Sequence, residues 1–161
     1  MPSVTRKKNI PADPDRVFDL ISDPKRLTEW WPRVTRVEAI EGKPGAARTR
    51  WTNVLTADSG RRLRLDYRCL ASSRPTRYEW EHELEGTPFA DHLLNQSTEI
   101  RLSPHPEGTK VEIRSTHTLR GSARIAGFAM RKTQRQMLEV ALAGLERVFA
   151  GDEPDPVQDG R

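Results

Sequence analysis

The stretch SARIAGFAMRKTQRQMLEVALAGLERVF, residues 122–149, decides the architecture. It is the only long segment with helical apolar spacing. Met130, Gln134, Met137, Leu138, Ala141, Leu142, Leu145, Val148 and Phe149 share one face at about 3.6 residues per turn, and Lys132, Arg135, Glu139, Glu146 and Arg147 fall elsewhere. Ser122 after Gly121 is a natural N-cap, and Gly151 followed by Pro154 ends the helix. The stripe is fully apolar in its second half, but small and polar in its first, at Gly127 and Gln134. Ile125 and Phe128 sit off it. Such a helix packs tightly at one end and loosely at the other, over a core below and a cavity above.

Upstream, the chain reads mostly as strands. Ser3–Ile10 is a first strand whose Arg6-Lys7-Lys8 run suits a sheet edge. Asp13 before Pro14 caps a short helix carrying Val17, Phe18, Leu20 and Ile21. Asp23-Pro24 opens a second through Leu27 and Trp30, which closes at Trp31-Pro32 because the residue before proline disfavours helical geometry. Val34–Glu41 and Arg48–Thr56 follow as strands, the latter with Thr49, Trp51, Asn53 and Leu55 against Arg48, Arg50, Thr52 and Val54. After the Asp58-Ser59-Gly60 hairpin signal, Leu63, Leu65, Tyr67 and Cys69 alternate with Arg62, Arg64, Asp66 and Arg68. Tyr78, Trp80, His82 and Leu84 then alternate with Glu79, Glu81 and Glu83, so arginine and glutamate faces meet across strands on the solvent side. Leu94, Gln96, Thr98, Ile100 and Leu102 form the inward set of the sixth strand, and Val111, Ile113, Ser115, His117 and Leu119 that of the seventh.

The bulk properties remove several function classes. A chain of 161 residues suits one domain, here placed at 1–150, with an acidic, proline-bearing tail at 151–161 expected to be disordered. Net charge is only +4 despite abundant arginine, and no zinc-finger, helix-turn-helix or RNP-like signature is present, so no nucleic acid is expected. No apolar run approaches the roughly 20 residues of a membrane span, and no signal peptide is visible at the N-terminus. Cys69 is the single cysteine, which fits a reducing cytoplasm. Four histidines without HxH, HExxH or CxxC spacing argue against a metal, and no cofactor is expected. A monomer and a homodimer are both compatible.

The residues Asp13-Pro14-Asp15-Arg16-Val17-Phe18, then Asp23-Pro24-Lys25-Arg26 through Glu29-Trp30-Trp31-Pro32-Arg33-Val34, resemble the START-like (SRPBCC) superfamily. More narrowly they look like its polyketide cyclase/dehydrase and lipid-transport group, over about residues 1–150. The resemblance implies an α+β helix-grip fold. A seven-stranded curved antiparallel sheet would wrap a long C-terminal helix, with two short helices between strands 1 and 2 and a deep cavity between sheet and helix. Members bind lipids, sterols, polyketides or hormones, and some catalyse cyclisation and aromatisation. Pocket arginine and tyrosine often matter in the cyclases; here Tyr67 fits that type, and Arg131 at the edge of the helix's inner face is the best arginine.

The inward sets supply the candidate site. Trp51, Tyr67, Trp80, Leu65, Leu94, Ile113 and Met130 would form an apolar wall. Asn53, His82, Gln96, Thr98, Ser115, His117 and Gln134 would place uncharged polar groups on the same side. Buried polar groups left unpaired are costly, so they either pair with one another or surround water and a ligand. His82 and His117 are the only inward candidates for proton transfer, while Asn53, Gln96, Ser115 and Tyr67 could orient a carbonyl or stabilise an enolate. No Ser-His-Asp order and no inward carboxylate pair supports hydrolysis. Trp30-Trp31-Pro32 and Phe89 stand where either an entrance or simple packing would use them. The basic start of the last helix, with Arg120, Arg124, Arg131, Lys132 and Arg135 beside Ile125 and Phe128, could meet an anionic surface or a partner.

Three functions follow as expectations. The first is binding of a small hydrophobic or aromatic, lipid- or polyketide-like ligand. The second is a cyclase, aromatase or dehydratase using the same cavity. The third is an interaction module that binds a protein or membrane through the basic start of the last helix, which requires a small or filled cavity and an exposed Phe128.

Overall fold

The computed structural model describes residues 3–121 and 127–151. The Ser122 cap, Arg124, Ile125 and the tail from 152 onward lie outside them. Seven strands form one antiparallel sheet in the order β1-β7-β6-β5-β4-β3-β2. They are β1 (Ser3–Ile10), β2 (Val34–Glu41), β3 (Arg50–Thr56), β4 (Arg62–Ser73), β5 (Arg77–His82), β6 (Leu93–His105) and β7 (Gly108–Leu119). Two short helices, α1 (Pro14–Ile21) and α2 (Leu27–Trp30), carry the chain from β1 to the opposite edge, β2. A meander then returns it to β7, which pairs with β1. The long helix α3 (Gly127–Ala150) follows.

Local chemistry explains each boundary. The Asp13 carboxylate accepts the Arg16 N–H at 3.0 Å, with Pro14 in the first helical turn, and α1 buries Val17, Phe18, Leu20 and Ile21. Asp23 does the same for Lys25 at a 3₁₀ turn, Pro24–Arg26, and Trp31 before Pro32 is extended, which ends α2. β3 starts at Arg50 instead of the expected Arg48, since Arg48 takes φ 69 and leaves the extended region. Thr49 is fully buried there, and its hydroxyl donates to the Lys43 and Ala46 carbonyls.

The outward faces carry the expected ion pairs. Arg68 meets Glu81, Arg50 meets Glu83 at 2.6 Å, Arg77 bridges Glu79 and Glu99, and Arg64 meets Glu38. Val54 is assigned outward by alternation yet is buried, because Arg36 and Arg64 flank it across the sheet and their stems cover it. On β1, Arg6 and Lys8 do more than blunt an edge. They reach α3 and pair with Glu139 at 3.1 Å and Glu146 at 3.0 Å.

α3 divides as its stripe predicts. Its buried residues are Leu138, Ala141, Leu142, Gly144, Leu145 and Phe149, all from the middle of the helix onward. In the first half Met130 and Gln134 are half-buried and Phe128 is 73% exposed. Gly144 lets α3 cross α2, because a Cβ there would collide with the Trp30 backbone.

Candidate functional site

Paired residues of an antiparallel sheet face the same side, so the register sorts the inner face into transverse rows. The lowest row is Leu102 and Val111 with Lys8, and above it run Tyr78, Ile100 and Ile113 with Arg6. Next come Cys69, Trp80, Thr98, Ser115 and Val4. The row beyond, toward the start of α3, pairs Trp51 with Tyr67, Tyr67 with His82, and Gln96 with His117. Inward of the β1 edge, where Lys8 and Arg6 reach out to α3, polarity therefore rises from the second half of α3 toward its first half.

The upper row is stacked at one end. The Trp51 and Tyr67 rings lie 6.1 Å apart at 17°, and Tyr67 and His82 lie 5.0 Å apart at 24°. Phe89, from the 3₁₀ turn Pro88–Asp91, closes on His82 at 5.6 Å. Phe89 thus belongs to this row, which alternation could not show because it lies between strands. Burial raises the Tyr67 phenol, so it stays protonated at neutral pH. Burial lowers His82, against weaker opposing pulls from Asp66 and Glu83. Burial also lowers His117, and the charge of Arg131 lowers it further.

Several polar atoms here have no hydrogen-bond partner among the described residues. They are Trp51 Nε1, Asn53 Oδ1, His82 Nε2 and both ring nitrogens of His117. Each such atom costs about 1–3 kcal/mol if nothing meets it. Other polar members do find partners. Ser115 Oγ donates to Gln134 Oε1 at 3.1 Å, joining β7 to α3, and Gln96 Nε2 donates to Thr98 Oγ1 at 3.4 Å.

The expectations for Leu94, Trp80 and Arg131 need correction, and the alternatives left open for Trp30 and Trp31 resolve to packing. Leu94 does not face inward but is 52% exposed, because a bulge between Leu93 and Asn95 inserts one residue; Leu93 instead faces Leu119. Trp80 is core as much as wall, since Trp30, Trp31 and Trp51 pack against it at 6.3, 5.1 and 6.2 Å. Trp30 and Trp31 are accordingly buried packing residues, not an entrance. Arg131 is exposed, although its charge reaches His117. Phe128 is exposed, as the interaction-module reading requires.

Hydrogen bonding between β5 and β6 ends at Glu81 and Ser97, one residue before His82 and Gln96. A hollow of about 540 Å³ opens at this split. It is lined by His82, Gln96 and Leu84 from the inner side and by the Arg50–Glu83 and Arg68–Glu81 pairs from the outer. A smaller hollow of about 220 Å³ lies beside Trp51 and Tyr67, against Glu41 and Arg50. Among the described residues no group of three or more His, Cys, Asp or Glu side chains could hold a metal ion. No described helix is long and apolar enough to cross a membrane.

The sheet, the crossover helices and the gripping C-terminal helix are shared with known proteins. The sequence model for polyketide cyclase / dehydrase and lipid transport proteins matches residues 1–150. The chain belongs to that family. Among solved structures, TTHA0849 from Thermus thermophilus superposes with a TM-score of 0.74 at 24% identity, over 95% of this chain and 100% of that one. A START superfamily protein from Mycobacterium smegmatis gives 0.72 at 14% identity over 92% and 97%. SA2116 from Staphylococcus aureus, described as of unknown function, gives 0.73 at 12% identity over 94% of each. These likenesses establish the START-like helix-grip fold of the family. No curated protein matches the sequence.

Proposed function

We propose that this family member binds a small hydrophobic or aromatic molecule between the upper part of its sheet and the first half of α3. The observation that carries this reading is the row Trp51, Tyr67, His82, Gln96 and His117 with its unmet polar atoms. A flat aromatic shelf with a few buried donors and acceptors is the usual make-up of a small-molecule site. Asn53, Thr98, Ser115, Met130 and Gln134 complete the proposed lining, and Trp80 floors it from the packed side. The test is native mass spectrometry of the purified protein, then denaturing extraction and identification of the bound species. A co-purifying hydrophobic molecule, displaced in Trp51→Ala and Tyr67→Ala, is the expected result. A protein that never gains mass from any aromatic or acyl compound offered to it would end the proposal.

A second reading is catalysis of a cyclisation, aromatisation or dehydration in the same place. It rests on His82 and His117, both held neutral by burial and two strands apart on one row. Paired strands lie about 4.8 Å apart and β5 and β6 part at this level, so the two rings stand at least about 10 Å apart, a span that would put a base and an acid at opposite ends of a fused-ring substrate. His82→Ala and His117→Ala distinguish the two readings. Turnover lost in either variant, with ligand affinity kept, supports catalysis. Unchanged turnover in both removes the proposed roles.

A further inference from the structure

His117 is fully buried, and neither of its ring nitrogens has a partner among the described residues. A neutral imidazole presents one N–H donor and one acceptor, so the pocket holds unused bonding capacity of both kinds at this spot. The adjacent turn of α3 carries a cation, on an exposed side chain. Ser115 and His117 lie on the same face of β7, and Ser115 is bonded to Gln134 of α3. The two elements run in opposite directions, so one turn back along α3 from Gln134 is one step up β7 toward His117. That turn brings Arg131, whose charge acts on the His117 ring.

Nothing on the described chain neutralises this cation. On the inner side, Glu139 is taken by Arg6 and Glu146 by Lys8, both lower on the helix. Glu38, Glu79, Glu81, Glu83 and Glu99 face outward and are paired there with arginines. Arg131 has no carboxylate partner among the described residues. A cation left without a counter-charge beside a buried imidazole that has both a donor and an acceptor to offer is a receptor for an acidic oxygen group.

We infer that the occupant of the proposed pocket carries a carboxylate, seated between His117 and Arg131. This rests on the binding reading above and adds the class of ligand. Arg131 supplies the counter-charge, His117 supplies a buried N–H, and the stacked Trp51, Tyr67 and His82 rings receive the flat body. A fatty acyl chain or sterol without such a group would leave the imidazole unmet.

The test is isothermal titration with 2-naphthoate and its neutral counterpart 2-naphthamide. Naphthoate is expected to bind about tenfold more tightly. Arg131→Gln should erase that preference while leaving naphthamide affinity unchanged. Lys132→Gln removes the same charge from the far side of α3 and should keep the preference. The ring ¹⁵N resonances of His117 should shift with naphthoate and stay in place with naphthamide. Equal affinities for the two probes, or a preference that survives in Arg131→Gln, would overturn the acid-group assignment and leave the binding reading standing. Failure of both probes to bind would also overturn the assignment, while the binding reading is decided by the wider set of aromatic and acyl compounds offered in the mass-spectrometric test.

Discussion

His117 and His82 are inner-face groups held away from water without a partner for every ring nitrogen, and this has a thermodynamic signature. Both keep a folded-state affinity for protons below the ordinary imidazole value of 6.5, first through burial and, for His117, through Arg131 as well. The unfolded chain takes up those protons near 6.5, and the folded protein only at lower pH. Their contribution to stability is therefore complete above about 6.5 and is lost as pH falls through the folded values. The melting temperature should drop between pH 7.5 and 5, and His117→Gln should flatten part of that drop. An unchanged melting temperature across this interval would contradict the environment assigned to both rings. Glu99 adds a separate loss at more acidic pH. Burial alone would raise its carboxyl, but bonds from Arg101 and Arg77 outweigh this and hold it below 4.5. Much of this residue-scale picture is legible in alternation, because Tyr67, His82 and His117 each recur at period two on strands with a charged opposite face. The packing of Phe89 against His82 at a 56° tilt is not, since a side chain delivered by a loop obeys no period.

At the scale of elements, α3 is two devices in one helix. Its second half is clamped by β1 and α2, and its first half, with no buried side chain before Leu138 among the described residues, is bonded to the sheet by Ser115–Gln134. Leu145→Ala should cost about 2–5 kcal/mol, as a fully buried leucine does. Met130→Ala should cost under about 1 kcal/mol, and denaturant melts separate the two. Gly144→Ala should destabilise by about 1–3 kcal/mol even though alanine favours helices, because the added methyl meets the Trp30 backbone. Comparable costs for Leu145→Ala and Met130→Ala would dissolve the division. The helix boundary, the asymmetry of the stripe and most strand faces can be read from spacing alone. The bulges cannot. One extra residue at Leu94 moves an expected wall residue to the surface and brings Leu93 inward. Another irregularity, between Cys69 and Ala71, pairs Ala71 with the outward Glu79, where alternation from Cys69 would turn it inward. Both are set by pairing partners far along the chain, so no local pattern announces them.

For the whole molecule, the same gradient predicts how stability is distributed. The lower rows hold apolar side chains under the clamped half of α3, and the upper rows hold polar groups and aromatic rings beside the split between β5 and β6. Amide exchange should be slow in residues 138–149 and in the lower parts of β6 and β7. It should be faster in residues 127–136 and around His82 and Gln96. A bound ligand should protect the fast set selectively, and at a hundredfold excess over its Kd should add about 2.7 kcal/mol to global stability. Uniform protection along α3 would refute this arrangement. The fold could be recognised from the order of elements and the Asp-Pro and Trp-Trp-Pro marks near the N-terminus, because those residues cap and close helices by purely local chemistry. What the tryptophans do together could not, since it depends on four positions meeting in space. All four tryptophans of the chain gather into one connected group, with Trp30 and Trp31 5.2 Å apart, Trp31 and Trp80 5.1 Å apart, and Trp51 joined through Trp80. At such separations excitation passes freely from ring to ring. The intrinsic emission and the near-ultraviolet dichroism of this protein are thus signals from a single spot, where the packed core gives way to the polar row, and are largely silent about everything else.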